Sequence, residues 1–311
     1  MSSGDFVEVI YLYEEDHTNK MREWARTKAE EKKQKGETPT YKDFMAMDII
    51  HPAGHKGMDL FLEKYQVKKE DYIFDIGCGV GGDARYLAGI YGCKVHAMDY
   101  LQNYVDAANE ITQLAGLSDK CEFFQGDITN YQVPPEGFTM AVCIGVFLYI
   151  PGTEGFKITY DSLKPGSLFY FEDYILQMPR EQLSDFDEQI VRDYKMHGIR
   201  DKDSLRRDLE AVGFEVARFE EFGREWSEYA WERSESILKR LNDPNSPNPG
   251  EKELHTYGRF VPKLLRQLNH LSPGEIRRRF PLTSAEQNPE ELVFSRPQFM
   301  TVMRVVARKP N

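Results

Sequence analysis

The 311-residue sequence contains no apolar stretch of 18 residues, and without one no helix spans a bilayer. Nor is there a basic surplus: 40 Lys and Arg face 51 Asp and Glu, a formal net charge of −11. That field repels nucleic acid and anionic lipid surfaces, so neither is expected as a partner. The four cysteines, Cys78, Cys93, Cys121 and Cys143, lack C-x-x-C spacing, which excludes a zinc or dithiol motif, and no metal is expected. Each lies in an apolar or glycine-rich run, where cysteine behaves as a small buried hydrophobe. The opening residues, MSSGDFVEVIYLYEEDHTNK, have neither the basic start nor the apolar core of a secretory leader. Repeats and low-complexity tracts are missing too. The expectation is a globular cytoplasmic protein, one large domain with a smaller appended region, long enough to need no covalent staple.

What is present is patterned. A strand-like run, Phe6 to Tyr13, precedes a charged helical stretch from Thr18 to about Gly36, whose few apolar residues predict a solvated surface helix. From about residue 54 to 176, short apolar runs alternate with helical ones. Strands are predicted at Tyr72–Phe74, Lys94–Met98, Glu122–Gln125, Thr139–Ile144 and Ser167–Phe171. Helices are predicted at Ala84–Tyr91, Gln102–Gly116 and Gly155–Leu163. This alternation specifies an α/β, doubly wound, mostly parallel sheet. After a charged helical stretch come a further strand at Phe214–Phe219, a long helix at Trp226–Leu241, the turn-rich DPNSPNPGEKE, and a helix at Leu254–Leu271. An apolar closing strand, Phe299–Ala307, ends the pattern.

The segment Phe74-Asp75-Ile76-Gly77-Cys78-Gly79-Val80-Gly81-Gly82 lies between a strand and a helix, the setting a ligand-cradling turn requires. Asp75, two residues before the first glycine, suits a cationic amino group better than a pyrophosphate. The second strand ends in Asp99, placed to accept ribose hydroxyls. The third ends in Gly126-Asp127-Ile128, within reach of an adenine amino group. Three acids at three successive strand ends, with a glycine turn on the first, make one ligand cleft. An NAD(P) dehydrogenase does not fit, because the loop reads G-x-G-x-G-G and carries Asp75.

Together these residues resemble the class I S-adenosylmethionine-dependent methyltransferases. Leu163-Lys164-Pro165-Gly166-Ser167 is similar to the family's L-K-P-G-G turn before its fifth strand, with serine for the last glycine. The resemblance implies a seven-stranded Rossmann-like sheet with helical cap or lid insertions and S-adenosyl-L-methionine as cofactor. Asp75, Gly77, Cys78, Gly79, Asp99, Tyr100, Asp127, Ile128 and Ile144 would bind it. It also implies four segments: a helical cover (1–50), the cofactor-binding core (51–220), a helical lid and acceptor region (221–298), and the core's closing strand (299–311). Asp48-Ile49-Ile50-His51-Pro52, the helix containing Gly81-Gly82, and Phe171-Glu172-Asp173-Tyr174 are similar to phosphoethanolamine, sarcosine/dimethylglycine and sterol methyltransferases. So is Lys195-Met196-His197 to the sarcosine/dimethylglycine branch. Tyr149 stands where the phosphoethanolamine branch has a histidine, which leaves the acceptor open.

Methyl transfer from a sulfonium needs alignment and exclusion of water, and an amine acceptor must also shed a proton. The candidate catalytic residues are Tyr149, Asp173 and His197. Those for the acceptor are His51, Tyr174, Trp226 and Tyr229; His55 is a weaker catalytic candidate than His51 or His197. Each has a plainer role open to it: core packing for the rings, capping for Asp173, exposure for the histidines. The expected reaction is N-methylation of a small amine, an ethanolamine derivative or an amino acid. Alternatives are S-, O- or C-methylation of another small metabolite, or a non-catalytic cofactor-binding protein. Monomer and homodimer both remain open.

Overall fold

The computed structural model describes residues 15–45, 54–134, 137–223, 225 and 299–311. A seven-stranded sheet forms its centre, in the order β3-β2-β1-β4-β5-β7-β6. The strands are β1 (Tyr72–Ile76), β2 (Lys94–Asp99), β3 (Cys121–Gln125), β4 (Phe138–Ile144), β5 (Leu163–Leu176), β6 (Glu215–Glu221) and β7 (Met300–Arg308). β1 to β5 pair in parallel, while β7 runs antiparallel between β5 and β6. The helices are α1 (Glu15–Gln34), α2 (Lys56–Leu62), α3 (Gly82–Tyr91), α4 (Gln102–Leu114), α5 (Glu154–Ser162), α6 (Asp185–Asp193) and α7 (Lys202–Ala211). The doubly wound, mostly parallel sheet expected from the sequence is therefore what forms. Among the described residues no helix is long and apolar enough to cross a membrane.

Central strands covered on both faces need apolar side chains in continuous runs rather than alternation. The runs Ile73–Ile76 and Met140–Cys143 are buried throughout for that reason. One face packs Val142, Tyr170 and Val306 against Met58 and Phe61 of α2, Leu87 of α3 and Val105 of α4. The other packs Phe74, Phe169 and Phe171 against Phe156 of α5 and Leu205 and Leu209 of α7. All four cysteines are free and buried within these layers, as expected for small hydrophobes.

Two expectations need correction. The charged N-terminal helix is no solvated rod: Met21, Ala25 and Ala29, four residues apart, form a buried stripe on α1. They pack against Tyr104, Ala107 and Ile111 of α4, and Met21 is 2% exposed. Two of the three stripe residues are alanines, which bring the helix backbones close without the long apolar pattern that marks a core helix. Burial of Met21 alone contributes about 2 kcal/mol. The Leu163–Ser167 turn does not precede the fifth strand but lies within β5. Gly166 takes φ +79 there and donates its N–H to the Lys309 carbonyl at 2.9 Å, so the end of β7 supplies the ladder partner that extends β5 backwards. The predicted strand at Phe6–Tyr13 and helices at Trp226–Leu241 and Leu254–Leu271 lie outside the described residues.

Candidate functional site

β1 has β2 on one side and β4 on the other, so the connections leave it in opposite directions and a crevice opens at the carboxyl ends of the strands. The glycine turn fills the lip of that crevice. Gly77, Gly79 and Gly81 take φ values of +73, +54 and +81, which glycine adopts without strain. A Cβ at Gly77 would collide with Val146, because the turn after β4 packs directly against this loop. Gly77 and Cys78 both donate to the Met98 carbonyl at 2.9 Å, and Gly126 donates to the Asp99 carbonyl at 2.9 Å. The ends of β1, β2 and β3 are thereby laced into one rigid edge.

Three carboxylates occupy it, as expected. Asp99 accepts the Gly79 N–H at 2.8 Å and the Leu101 N–H at 3.0 Å, so it fixes the glycine turn while standing at the β2 terminus. Burial raises its pKa, and these N–H bonds oppose the rise. Asp127 accepts the N–H and the hydroxyl of Thr129, each at 2.8 Å and both on the same oxygen. Asp75 is buried, and its Oδ2 has no hydrogen-bond partner. Burial, followed by the neighbouring Asp83 and Asp99 charges, holds its carboxyl well above the ordinary range. Such a group is poised to accept a hydrogen bond from a cationic amino donor, which would also restore its ionised form. Beneath the turn, Arg85 is fully buried and donates to the Val80 carbonyl at 2.7 Å and to Thr112 Oγ1 at 2.9 Å, bracing the loop from inside the core.

The other predicted cofactor residues also cluster here. Cys78 and Ile128 are buried, and Ile144 ends β4. Tyr100 follows Asp99 with its ring 60% exposed, an open aromatic face at the crevice rim. Of the catalytic candidates, Tyr149 closes a 3-10 turn (Phe147–Tyr149) after β4 and packs partly against Leu148, Leu176 and Met196. Asp173 is buried in β5. It accepts the N–H groups of Leu148 and Tyr174, each at 2.9 Å, which are the bonds of a cap on the β4 turn. Burial outweighs those bonds and raises its pKa to about 7. His197 is exposed on the turn after α6; the next residue, Gly198, donates its N–H to the Leu148 carbonyl at 2.8 Å, which seats this turn on the one that follows β4. Tyr174 packs with the group around Tyr149. His51, Trp226 and Tyr229 lie outside the described residues.

The structure adds packing around His55, Glu172 and Arg304 that the motifs do not specify. His55, buried at the start of α2, stacks on Tyr86 with ring centroids 3.6 Å apart and lies 3.1 Å from Asp83. Gly57 sits so close to β5 that a Cβ would overlap Glu172 Oε1 and Tyr170 Oη. Glu172 accepts the Tyr170 hydroxyl and is level with Arg304 on β7. One sequence signal was available for Arg304: it is the lone charge inside the run Phe299–Ala307.

Comparison with known proteins identifies what the segment carrying this edge is similar to. Residues 73–166 match the model of a methyltransferase domain. The chain is 27% identical over 175 residues to a sterol 24-C-methyltransferase of Pneumocystis carinii, covering 53% of this chain and 45% of that protein. It is 26% identical over 170 residues to phosphoethanolamine N-methyltransferase 1 of Arabidopsis thaliana, covering 54% and 34% respectively. The fold is shared with phosphoethanolamine N-methyltransferase 2 of Haemonchus contortus, solved with S-adenosyl-L-methionine. That match has a TM-score of 0.61 at 18% identity and covers 85% of this chain and 54% of the other. The chain thus matches less than half the length of the two curated relatives named here.

Proposed function

We propose that this chain, whose core carries a methyltransferase domain of the class I Rossmann-like type, transfers a methyl group from S-adenosylmethionine to a small-molecule acceptor. The observation that carries the reading is the convergence of Asp75, the glycine turn, Asp99 and Asp127 on one laced strand edge. The residues fit the cofactor. Asp99 would accept its ribose hydroxyls, Asp127 its adenine amino group, and the buried Asp75 its cationic amino end. Tyr100 offers a face for the base. When bound, S-adenosylmethionine supplies a methyl group already activated on a sulfonium.

The protein's own task is then to hold the acceptor in line, exclude water and receive a proton. The favoured acceptor is a small amine, methylated on nitrogen. Tyr149, in the turn after β4, is the candidate to orient the amine through its hydroxyl, while Asp173 is committed to two backbone donors. Sulfur, oxygen or carbon of another small metabolite is the second reading, since the similar proteins include both C- and N-methyltransferases. The four free, buried thiols support a reducing, cytoplasmic setting.

Calorimetric titration with S-adenosylhomocysteine tests the cofactor. We expect saturable binding, weakened about 10- to 100-fold by Asp99→Ala, since hydrogen bonds to a charged group contribute about 1.5–3 kcal/mol. No binding to folded protein at millimolar concentration would sink the reading. Labelled methyl transfer to a panel of amines, thioethers and hydroxy acids identifies the atom methylated.

A further inference from the structure

Two arginines are buried among the described residues, and they contrast sharply. Arg85 is held by carbonyl and hydroxyl acceptors under the glycine turn. Arg304 is 8% exposed, and only one of its three nitrogens is used: Nη2 donates to Glu220 Oε2 at 2.8 Å. Nε and Nη1 have no hydrogen-bond partner. The Phe222 ring, 4.5 Å from the guanidinium carbon, packs beside the group. A buried guanidinium with free donors is unfavourable unless an acceptor arrives to meet them.

Its place in the sheet says which molecule brings that acceptor. Ile144 on β4 is level with Glu172 on β5, and Glu172 with Arg304 on β7. Gly77 is one residue beyond Ile76, which is level with Cys143, so it begins the same row on β1. The row therefore runs from the cofactor-binding glycine along the crevice to Arg304. The distance is three strand spacings, about 14 Å between backbones, and side chains shorten it from the arginine end. Two residues lower, Asp75, Val142, Tyr170 and Val306 form the matching row; the period of two puts Arg304 on the face Asp75 occupies.

The geometry points to Arg304 as the anchor for an anionic group, a carboxylate or phosphate, on the methyl acceptor. This rests on the methyl-transfer reading and deepens it by naming the substrate class: a small amine or other nucleophile carrying an anion, not a neutral sterol-like lipid. With the anion on Arg304, the nucleophile lies back along the row toward Gly77.

The test titrates inorganic phosphate, and separately acetate, into the protein held with S-adenosylhomocysteine. Wild type, Arg304→Gln and Arg304→Lys are compared. We expect saturable binding of at least one anion to wild type, weakened about 10- to 100-fold in Arg304→Gln and partly retained in Arg304→Lys. Stronger phosphate than acetate binding assigns phosphorylated acceptors; the reverse assigns carboxylates. No saturable anion binding to wild type overturns the proposal, as does binding that Arg304→Gln leaves unchanged. Wild type also tests it by turnover: equal, measurable methylation of an anionic amine and its neutral counterpart, phosphoethanolamine against ethanolamine or glycine against methylamine, contradicts an anion anchor. The homocysteine titration is read separately, so loss of cofactor binding counts against the methyl-transfer reading and not against Arg304.

Discussion

On the β1–β2–β3 side of the crevice, each carboxylate proposed to meet the cofactor lies within two residues of the end of its own strand. On the β5–β7–β6 side, Glu172, Arg304 and Glu220 meet only because three strands distant in sequence pair in register. The first side is bound together by backbone: Met98 and Asp99 carbonyls take the N–H groups of the neighbouring turns. The second depends on side chains: Tyr170 and Glu172 meet beside Gly57, and Arg304, level with Glu172, reaches Glu220. A backbone-built edge tolerates little change and serves a ligand that does not vary. A side-chain-built edge is altered by single substitutions, and that is where acceptor choice is expected to reside.

The comparison breaks most visibly at Gly77. Alanine there must adopt φ +73 and displace Val146. Left-handed backbone costs about 1–2 kcal/mol and overpacking about 1–3 kcal/mol. Gly77→Ala should therefore lower affinity for S-adenosylhomocysteine about 100-fold or more, read by calorimetry, with circular dichroism confirming the fold. Unchanged affinity would mean that the turn is not a cradle.

A middle-sized effect tests the other half. Asp173 has a folded pKa near 7, above its unfolded value, so the native state holds the extra proton. Stability from this group is full below the unfolded pKa near 4 and declines as pH rises toward 7. Asp75 and Asp99, also raised, slope the same way. Asp173→Asn should flatten the fall in urea midpoint between pH 4 and 7, although the amide loses one of the two N–H acceptors. An unaltered slope would assign the pH dependence to the β1–β2 acids alone.

The smallest effect belongs to the cover. Glu110 on α4 binds Arg22 at 2.6 Å and also pairs with Arg26, both at the protein surface. Glu110→Gln should cost less than about 1 kcal/mol, fading in high salt, because the apolar stripe carries the contact. A larger loss in thermal unfolding would show that charge rather than Met21, Ala25 and Ala29 seats α1.

These differences follow how much of each region lies in one short window of sequence. The glycine turn, Asp75, Asp99 and Asp127 were legible because a strand, its terminal residue and the next helix are contiguous. The sheet class was legible because buried parallel strands demand unbroken apolar runs such as Met140–Cys143. The α1 contact was not, since its stripe is one methionine and two alanines among many charges. Asp173 was visible as an acid at a strand end, but only the fold shows its oxygens taken by Leu148 and Tyr174. Glu172 and Arg304 acquire meaning only through the β5–β7 register.

That register also dictates an order of events during synthesis. β7 is the last of the seven strands in the chain, yet it enters the sheet between β5 and β6 rather than at its margin. As the polypeptide leaves the ribosome, β1 to β5 can assemble from local strand–helix units, but β5 keeps an open hydrogen-bonding edge and β6 has no neighbour. The seven-stranded sheet therefore cannot close until Met300–Arg308 has emerged. The nascent chain must be shielded from self-association for as long as that edge stays bare.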